Sequence, residues 1–397
     1  MLRQLPAPPA WSSALIAAFV GFGGTIALVV QALRAMGASV DQTGSAVTAL
    51  CLGIALAGAA LSLRLRMPVV LAWSTPGAAL LAATPAGLPW SVSVGLFMGA
   101  ALLMILVGVT PALGRLVGRI PPSVASAMLA GVLLPFCLTL FKLASVDPLL
   151  VAALVMVFLA ARLRAPLYAL LLVLAAAVAM ILLRGDLAPL LPGRVFGMLA
   201  PTAPAPDLQA TLSLAVPLFM VTLVSQNLPG LVVLRSAGYT PTAGPLIAAT
   251  GLASLIAAPF GAHGINLAAI TAAICTSEEA HPDASRRWMV GVIYAGLYLL
   301  LAIFSPLIVR VFLAMPATAI AAITGLALIP ALLTSIETMM ADRTARDPAI
   351  ITFLATASGL ALWGLGSAFW GLVAGFAALG VKWALVSRSR TGRTAVP

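Results

Sequence analysis

Met67-Pro-Val-Val-Leu-Ala-Trp-Ser-Thr-Pro-Gly-Ala-Ala-Leu-Leu-Ala-Ala83 and Ala258-Pro-Phe-Gly-Ala-His-Gly-Ile-Asn-Leu-Ala-Ala-Ile-Thr-Ala-Ala-Ile274 are two apolar stretches broken in the same way. Each opens on residues that favour extended or irregular backbone, passes a Pro-Gly or Gly-rich break, and continues as a small-residue helix. Irregular backbone facing lipid leaves N–H and C=O groups unpaired at several kcal/mol each, so such breaks persist only where protein or a water-filled cavity covers them. Paired broken spans in corresponding places of two halves point to a transporter's substrate site.

The surrounding composition agrees. Of 397 residues, 62% are hydrophobic and 8% charged, and apolar runs of about 20 residues mean membrane spans. The run from Trp11 to Gly37 is too long for a signal peptide and lacks a cleavage site. A net charge of +11 comes from single basic residues scattered between the runs, a pattern of membrane orientation rather than of nucleic-acid binding. Cys51, Cys137 and Cys275 lie within or at the end of apolar runs without metal-ligand spacing, and read as reduced small hydrophobes.

Spans are expected at 12–34, 42–63, 68–84, 90–111, 121–141, 147–162, 165–183, 208–232, 242–258, 260–276, 288–310, 315–336, 348–364 and 366–386, fourteen in all. The third and tenth are the broken ones, and a Pro-rich connector over 184–207 separates the halves 1–183 and 208–397. With the N-terminus inside, only Arg34, Lys142, Arg184, Arg194 and Arg310 of the 21 basic residues fall outside. That asymmetry predicts cytoplasmic N- and C-termini. Leu33-Arg-Ala-Met-Gly37 after the first span matches Leu234-Arg-Ser-Ala-Gly238 after the eighth, and Gly44 and Gly244 keep the register. Seven spans per half is odd, so the second half lies inverted relative to the first. The fold class is therefore an all-α polytopic membrane protein, a 7+7 inverted repeat with short extended segments in its broken spans.

Several residues are candidates for binding. Ser74 or Thr75 suits a helix N-cap and Pro76 the first turn. Trp73 to Gly77 would then present a positive helix end to a small anion such as a carboxylate; the competing structure is a Pro-kinked helix without a ligand. Gly261, Gly264 and Asn266 free the backbone in the second break, with His263 inside it. An imidazole there either takes up a proton with the substrate or, neutral, donates one hydrogen bond to exposed backbone. Ser225-Gln226-Asn227 lies within the eighth span. Gln226 and Asn227 either donate to a carboxylate or bond neighbouring helices, and α-helical geometry spreads the three over about 200°. Phe22 either walls an apolar substrate or packs the core. All ten acidic residues fall in loops or at span ends, which favours an anionic substrate over a cation. Glu278, Glu279, Arg286, Arg287, Asp342, Arg343 and Arg346 are expected as surface or gate pairs, or simply as solvated loop. No phosphate-binding G-x-x-x-x-G-K-[ST] loop exists for an ATP-driven pump. No clustered Asp residues prepare a magnesium enzyme, and no cofactor is expected. A passive anion channel of the same fold remains the alternative transport class.

These segments resemble the benzoate membrane transporter family (BenE), proposed benzoate–proton symporters of bacterial inner membranes. Ala72-Trp-Ser-Thr-Pro-Gly-Ala78, Ser225-Gln-Asn-Leu-Pro-Gly230 and Phe260-Gly-Ala-His-Gly-Ile-Asn-Leu-Ala-Ala-Ile-Thr-Ala-Ala-Ile-Cys275 carry the resemblance. It implies the architecture of nucleobase–cation symporters and sulfate-type anion transporters: a core domain against a gate domain, short strands before half-helices, and relatives that often form homodimers. It implies substrate contacts at Trp73, Ser74, Thr75, Gly77, Gln226, His263, Gly264, Ile265 and Asn266; the residues themselves add Asn227 and Phe22 as candidates, with Phe260 also flanking the ring. Gln226 and Ile265 stand where the nucleobase relatives tend to carry glutamates, which suits an aromatic carboxylate. His263 is then the substitute proton site.

Overall fold

The computed structural model describes residues 8–84, 87–117, 121–363 and 365–391. Arg3, Arg119 and Arg393 of the charge pattern lie outside them. The first half comprises α1 (Pro8–Gly23), α2 (Ile26–Ala35), α3 (Val40–Leu65), β1 (Leu71–Trp73), α4 (Thr75–Ala82), α5 (Trp90–Val109), α6 (Pro111–Val117), α7 (Pro122–Lys142), α8 (Pro148–Arg164) and α9 (Ala169–Arg184). The second comprises α10 (Leu208–Ala210), α11 (Val216–Thr222), α12 (Leu228–Ser236), α13 (Ala243–Ala257), β2 (Ile265–Leu267), α14 (Ile270–Thr276), α15 (Trp288–Ala314), α16 (Ala317–Ala341), α17 (Arg346–Ala357) and α18 (Ser367–Thr391). Among the described residues, nine helical stretches are long and apolar enough to cross a membrane. This is a mostly helical membrane protein.

Three departures from regular helix have identifiable causes. The first span breaks at Gly24-Thr25, where three glycines at 21, 23 and 24 weaken the helix and the Trp73 indole N–H donates to Thr25 Oγ1 at 2.8 Å. The stretch Leu208–Ser236 carries two π-turns, Thr211–Ala215 and Leu223–Asn227. Pro217 and Pro229 follow them by two residues. A proline has no N–H to offer the carbonyl four residues back and its ring crowds that carbonyl; widening the turn before it relieves both.

The halves share local detail. Gly37 (φ +91°) and Gly238 (φ +87°) are left-handed helix ends. In each, the next residue's N–H bonds back across the end, Ala38 to Leu33 and Tyr239 to Leu234, which is the Schellman pattern that glycine permits. The Leu-Arg-x-x-Gly match is thus one helix stop used twice. α3 packs along α15, and α13 along α5. Gly44 and Gly244 sit at the start of those contacts, where a Cβ would meet the Pro306 ring at 3.3 Å and the Gly108 carbonyl at 2.7 Å.

The connector between the halves is a bonded strap rather than a spacer. Its Gly197 N–H reaches Ile303 O at 2.6 Å, Thr202 N–H reaches Pro259 O at 2.8 Å and Ala205 N–H reaches Ser91 O at 2.9 Å. Its Ala200 N–H reaches Ser45 Oγ at 2.9 Å. Arg310 donates to its Leu191 and Gly193 carbonyls. Prolines suit a strap whose bonds go to neighbours one at a time.

The loop after α14 also differs from the solvated loop that its charges suggest. Arg287 is 6% exposed and donates to His281 O at 2.7 Å and to Thr276 O at 2.8 Å, closing the C-terminal end of α14. Arg286 pairs with Asp283. Arg66, left-handed at φ +54°, lays its guanidinium 4.5 Å over the Trp288 ring.

At the α8–α9 ends, Asp147 caps α8 through Leu150 N–H and pairs with Arg184 at 2.6 Å. The Arg184 hydrogen bond, seconded by that of Leu150, holds the Asp147 carboxyl below the ordinary 3.8. A lowered carboxylate pKa stabilises the fold above the unfolded value and loses that contribution as pH falls through the folded one. Asp147→Asn should therefore melt below the parent at pH 7, and the gap should narrow as pH falls below the ordinary 3.8 of the carboxyl, as paired thermal melts will read.

Candidate substrate site

The two breaks meet. β1 and β2 form an antiparallel ribbon with Leu71 opposite Leu267, Ala72 opposite Asn266 and Trp73 opposite Ile265. Ser74 N–H to Gly264 O at 3.3 Å and Ala268 N–H to Val70 O at 3.0 Å extend it. Each strand lends the other the partners that lipid cannot provide. Because the strands are antiparallel, α4 and α14 leave the ribbon at opposite ends.

Ser74 is the N-cap of α4, its Oγ accepting from Gly77 N–H at 3.1 Å, with Pro76 in the first turn. The same hydroxyl bonds Thr222 Oγ1 at 2.8 Å. A Cβ at Gly77 would lie 2.6 Å from Ser74 Oγ and from Leu218 Cδ1, so the cap needs a glycine there. The second half-helix begins later than the glycines suggest. Gly261 (φ +97°) and Gly264 (φ +157°) turn the chain into β2 first, and α14 starts at Ile270 without a side-chain cap.

His263 is 2% exposed and its Nε2 lies 3.2 Å from Ser74 O. A carbonyl only accepts, so Nε2 carries the proton and Nδ1 bears the lone pair. Nδ1 is buried without a partner. A narrow void of about 10 Å³ adjoins His263, lined by Phe97, Met104, Thr222, Ser254 and Ile265 among others. The Phe97 ring meets the imidazole edge-on at 6.4 Å.

The three polar residues of the second π-turn part company. Asn227, fully buried, accepts Leu267 N–H at 2.9 Å on Oδ1 and points Nδ2 at Met104 Sδ at 3.4 Å. It fastens β2. Ser225 bonds back to Val221 O. Gln226 is half-buried, as are Ala72, Thr75 and Ala269, and Ile270 is exposed. Ala72 lies on the face of the ribbon opposite that of Trp73, and its partial exposure makes that the more open side.

On the closed side, Trp73 packs on Phe22 (5.2 Å between centroids) and Tyr298 (6.1 Å). Tyr294, 4.8 Å from Tyr298, donates its hydroxyl to Leu71 O at 3.1 Å. Ile265 is 1% exposed and turns toward α3, where a Cβ on Gly53 would come within 2.2 Å of its Cδ1. Ser254 of α13 holds both its N–H and its C=O. Asn266 is buried, with Nδ2 on Leu267 O at 2.9 Å and Oδ1 unpartnered. Sequence reasoning missed Thr25, Thr222, Ser254, Tyr294 and Tyr298. The single hydroxyls gave no pattern; Pro217 and Pro229 were the available signal of an irregular span.

The family model described as "BenE: Benzoate membrane transport protein" matches residues 5–381. The chain belongs to the BenE family. It is 38% identical over 370 residues to the inner membrane protein YdcO of Escherichia coli, covering 93% of this chain and 94% of that one. It is 38% identical over 366 residues to the benzoate membrane transport protein of Acinetobacter baylyi, covering 90% and 92%. The fold resembles the transmembrane domain of the cyanobacterial bicarbonate transporter BicA, at TM-score 0.56, 16% identity, 93% of this chain and 97% of that chain. It also resembles the murine anion transporter Slc26a9, at TM-score 0.59, 12% identity, 98% and 69%. This BenE chain is a membrane transporter on an anion-transporter fold.

Proposed function

We propose that the protein carries benzoate or a similar aromatic carboxylate together with a proton, by alternating access of a core domain against a gate domain. The observation that carries the reading is the meeting of the two breaks: half-buried Thr75 lies in the first turn of the capped half-helix α4, half-buried Gln226 lies in the π-turn that fastens β2, and no acidic residue lies in the ribbon or its short helices. Positive helix ends and neutral amide donors favour a carboxylate there. The Phe22–Trp73–Tyr298 cluster gives the site a rigid apolar back.

The proton belongs on His263 Nδ1, whose lone pair is buried and unpartnered while Ser74 O holds the other nitrogen. Fourteen spans in two inverted halves, 1–183 and 208–397, fit the shared helix stop and the matching pairs α3–α15 and α13–α5. The localisation that goes with this reading is a bacterial inner membrane with both termini cytoplasmic.

Titration of the purified protein with benzoate in a calorimeter tests the site. Gln226→Leu removes one amide donor, worth about 1.5–3 kcal/mol to a charged group, so affinity should fall by roughly tenfold or more. Unchanged affinity would remove Gln226 from the site, and no heat with the parent protein would remove benzoate.

A further inference from the structure

A second recess faces outward, away from the open side of the ribbon. α3 and α13 leave between them a groove of about 400 Å³, lined only by apolar residues. Ala49, Gly53 and Ala57 of α3 and Ala253 and Ala257 of α13 line it. Its lips are Leu56, Leu252 and Ile256, which are 65%, 52% and 64% exposed. Leu199 of the connector and Phe260 line one end. Ser45, one turn before Ala49, bonds to both neighbouring stretches of backbone, Ala200 and Phe260.

The other end leads to a charge. Groove residues on α3 recur at 49, 52, 53, 56, 57, 60 and 61, a helical stripe whose next member is Arg64. Arg64 is exposed in the last turn of α3. From Ala49 to Leu61 the helix rises about 18 Å at ~1.5 Å per residue. One leaflet of a bilayer's hydrocarbon is about 15 Å thick, half of the ~30 Å core. Length, apolarity and a terminal cation together match one lipid chain beneath an anionic headgroup.

We propose that this groove is a binding site for an anionic phospholipid, with one acyl chain between α3 and α13 and its phosphate at Arg64. The groove backs onto the substrate ribbon. Gly53 touches Ile265, and Ser254, on the wall that carries Ala253, bonds Ile265 N–H and C=O. A chain in the groove therefore supports β2 from behind.

Delipidated full-length protein, titrated with dioleoyl phosphatidylglycerol and weighed by native mass spectrometry, should show one saturable lipid per chain. Ala253→Phe, which fills the groove, should remove it while leaving the melting profile that of a folded protein. Arg64→Gln, an exposed change that leaves the packing alone, should weaken phosphatidylglycerol at least fivefold and leave dioleoyl phosphatidylcholine unchanged. Absence of a saturable lipid, its survival in Ala253→Phe, or equal weakening of both lipids by Arg64→Gln would each overturn the site. A parent protein that weighs as a dimer and becomes monomeric in Ala253→Phe would instead assign the groove to a second copy of the chain, which also overturns it. If Ala253→Phe does not fold, the headgroup contrast of Arg64→Gln decides alone.

Discussion

Replacing His263 by glutamine is expected to abolish accumulation of benzoate above equilibrium while leaving benzoate–benzoate exchange near the parent rate. The glutamine amide still donates to Ser74 O, the bond His263 makes at 3.2 Å, so the strand-to-helix junction keeps its geometry. What disappears is the lone pair at Nδ1, the one imidazole nitrogen buried beside the ribbon without a partner. A carrier that binds substrate but takes up no proton equilibrates and exchanges; it does not concentrate. Paired assays on one reconstituted sample decide the matter. Retention of both activities places the proton elsewhere, and loss of both makes His263 a positioning residue for Ser74.

Asn227→Leu should be the most damaging change of a residue that touches no open surface. Its Oδ1 accepts the Leu267 N–H at 2.9 Å, a donor inside the membrane with no water to turn to. An orphaned buried donor costs about 1–3 kcal/mol. At 1.4 kcal/mol per tenfold, that shifts β2 roughly fivefold to hundredfold toward an unpaired state. Uptake per folded molecule should fall by at least about fivefold, with membrane abundance much less affected. Parent-like uptake would show that Ser254 and the β1 pairing hold the ribbon without Asn227.

The contrast between Gln226 and Asn227 shows where sequence reasoning stops. Three consecutive polar residues in an apolar span announce an inward-facing cluster, and that much was legible. Which side chain faces the ligand and which fastens a strand depends on the turn. α-Helical geometry spreads the triplet differently from the π-turn Leu223–Asn227, whose cause is Pro229. The breaks themselves were plain, because Pro-Gly and repeated glycine have few meanings in a membrane. Ser-Thr-Pro-Gly put an N-cap at Ser74 or Thr75, and it is found at Ser74. That the breaks would pair as strands was not readable from residue types or periodicity. Three-residue strands carry no period, and their register depends on partners 194 positions apart, as in Ala72 opposite Asn266; the expectation of short strands came from the family resemblance. Nor was the role of Ile265 readable. A lone isoleucine beside an asparagine is compatible with a ligand-facing site, and only the bare Cα of Gly53 on α3 shows which way it turns.

Labelled benzoate uptake into proteoliposomes under an imposed inward proton gradient tests the central claim most directly. Empty liposomes serve as the control, since protonated benzoic acid crosses bilayers unaided. Accumulation above that control, collapsing when a protonophore is added, is the result expected of a proton-coupled carrier of aromatic carboxylates. Uptake that never exceeds the control would contradict it.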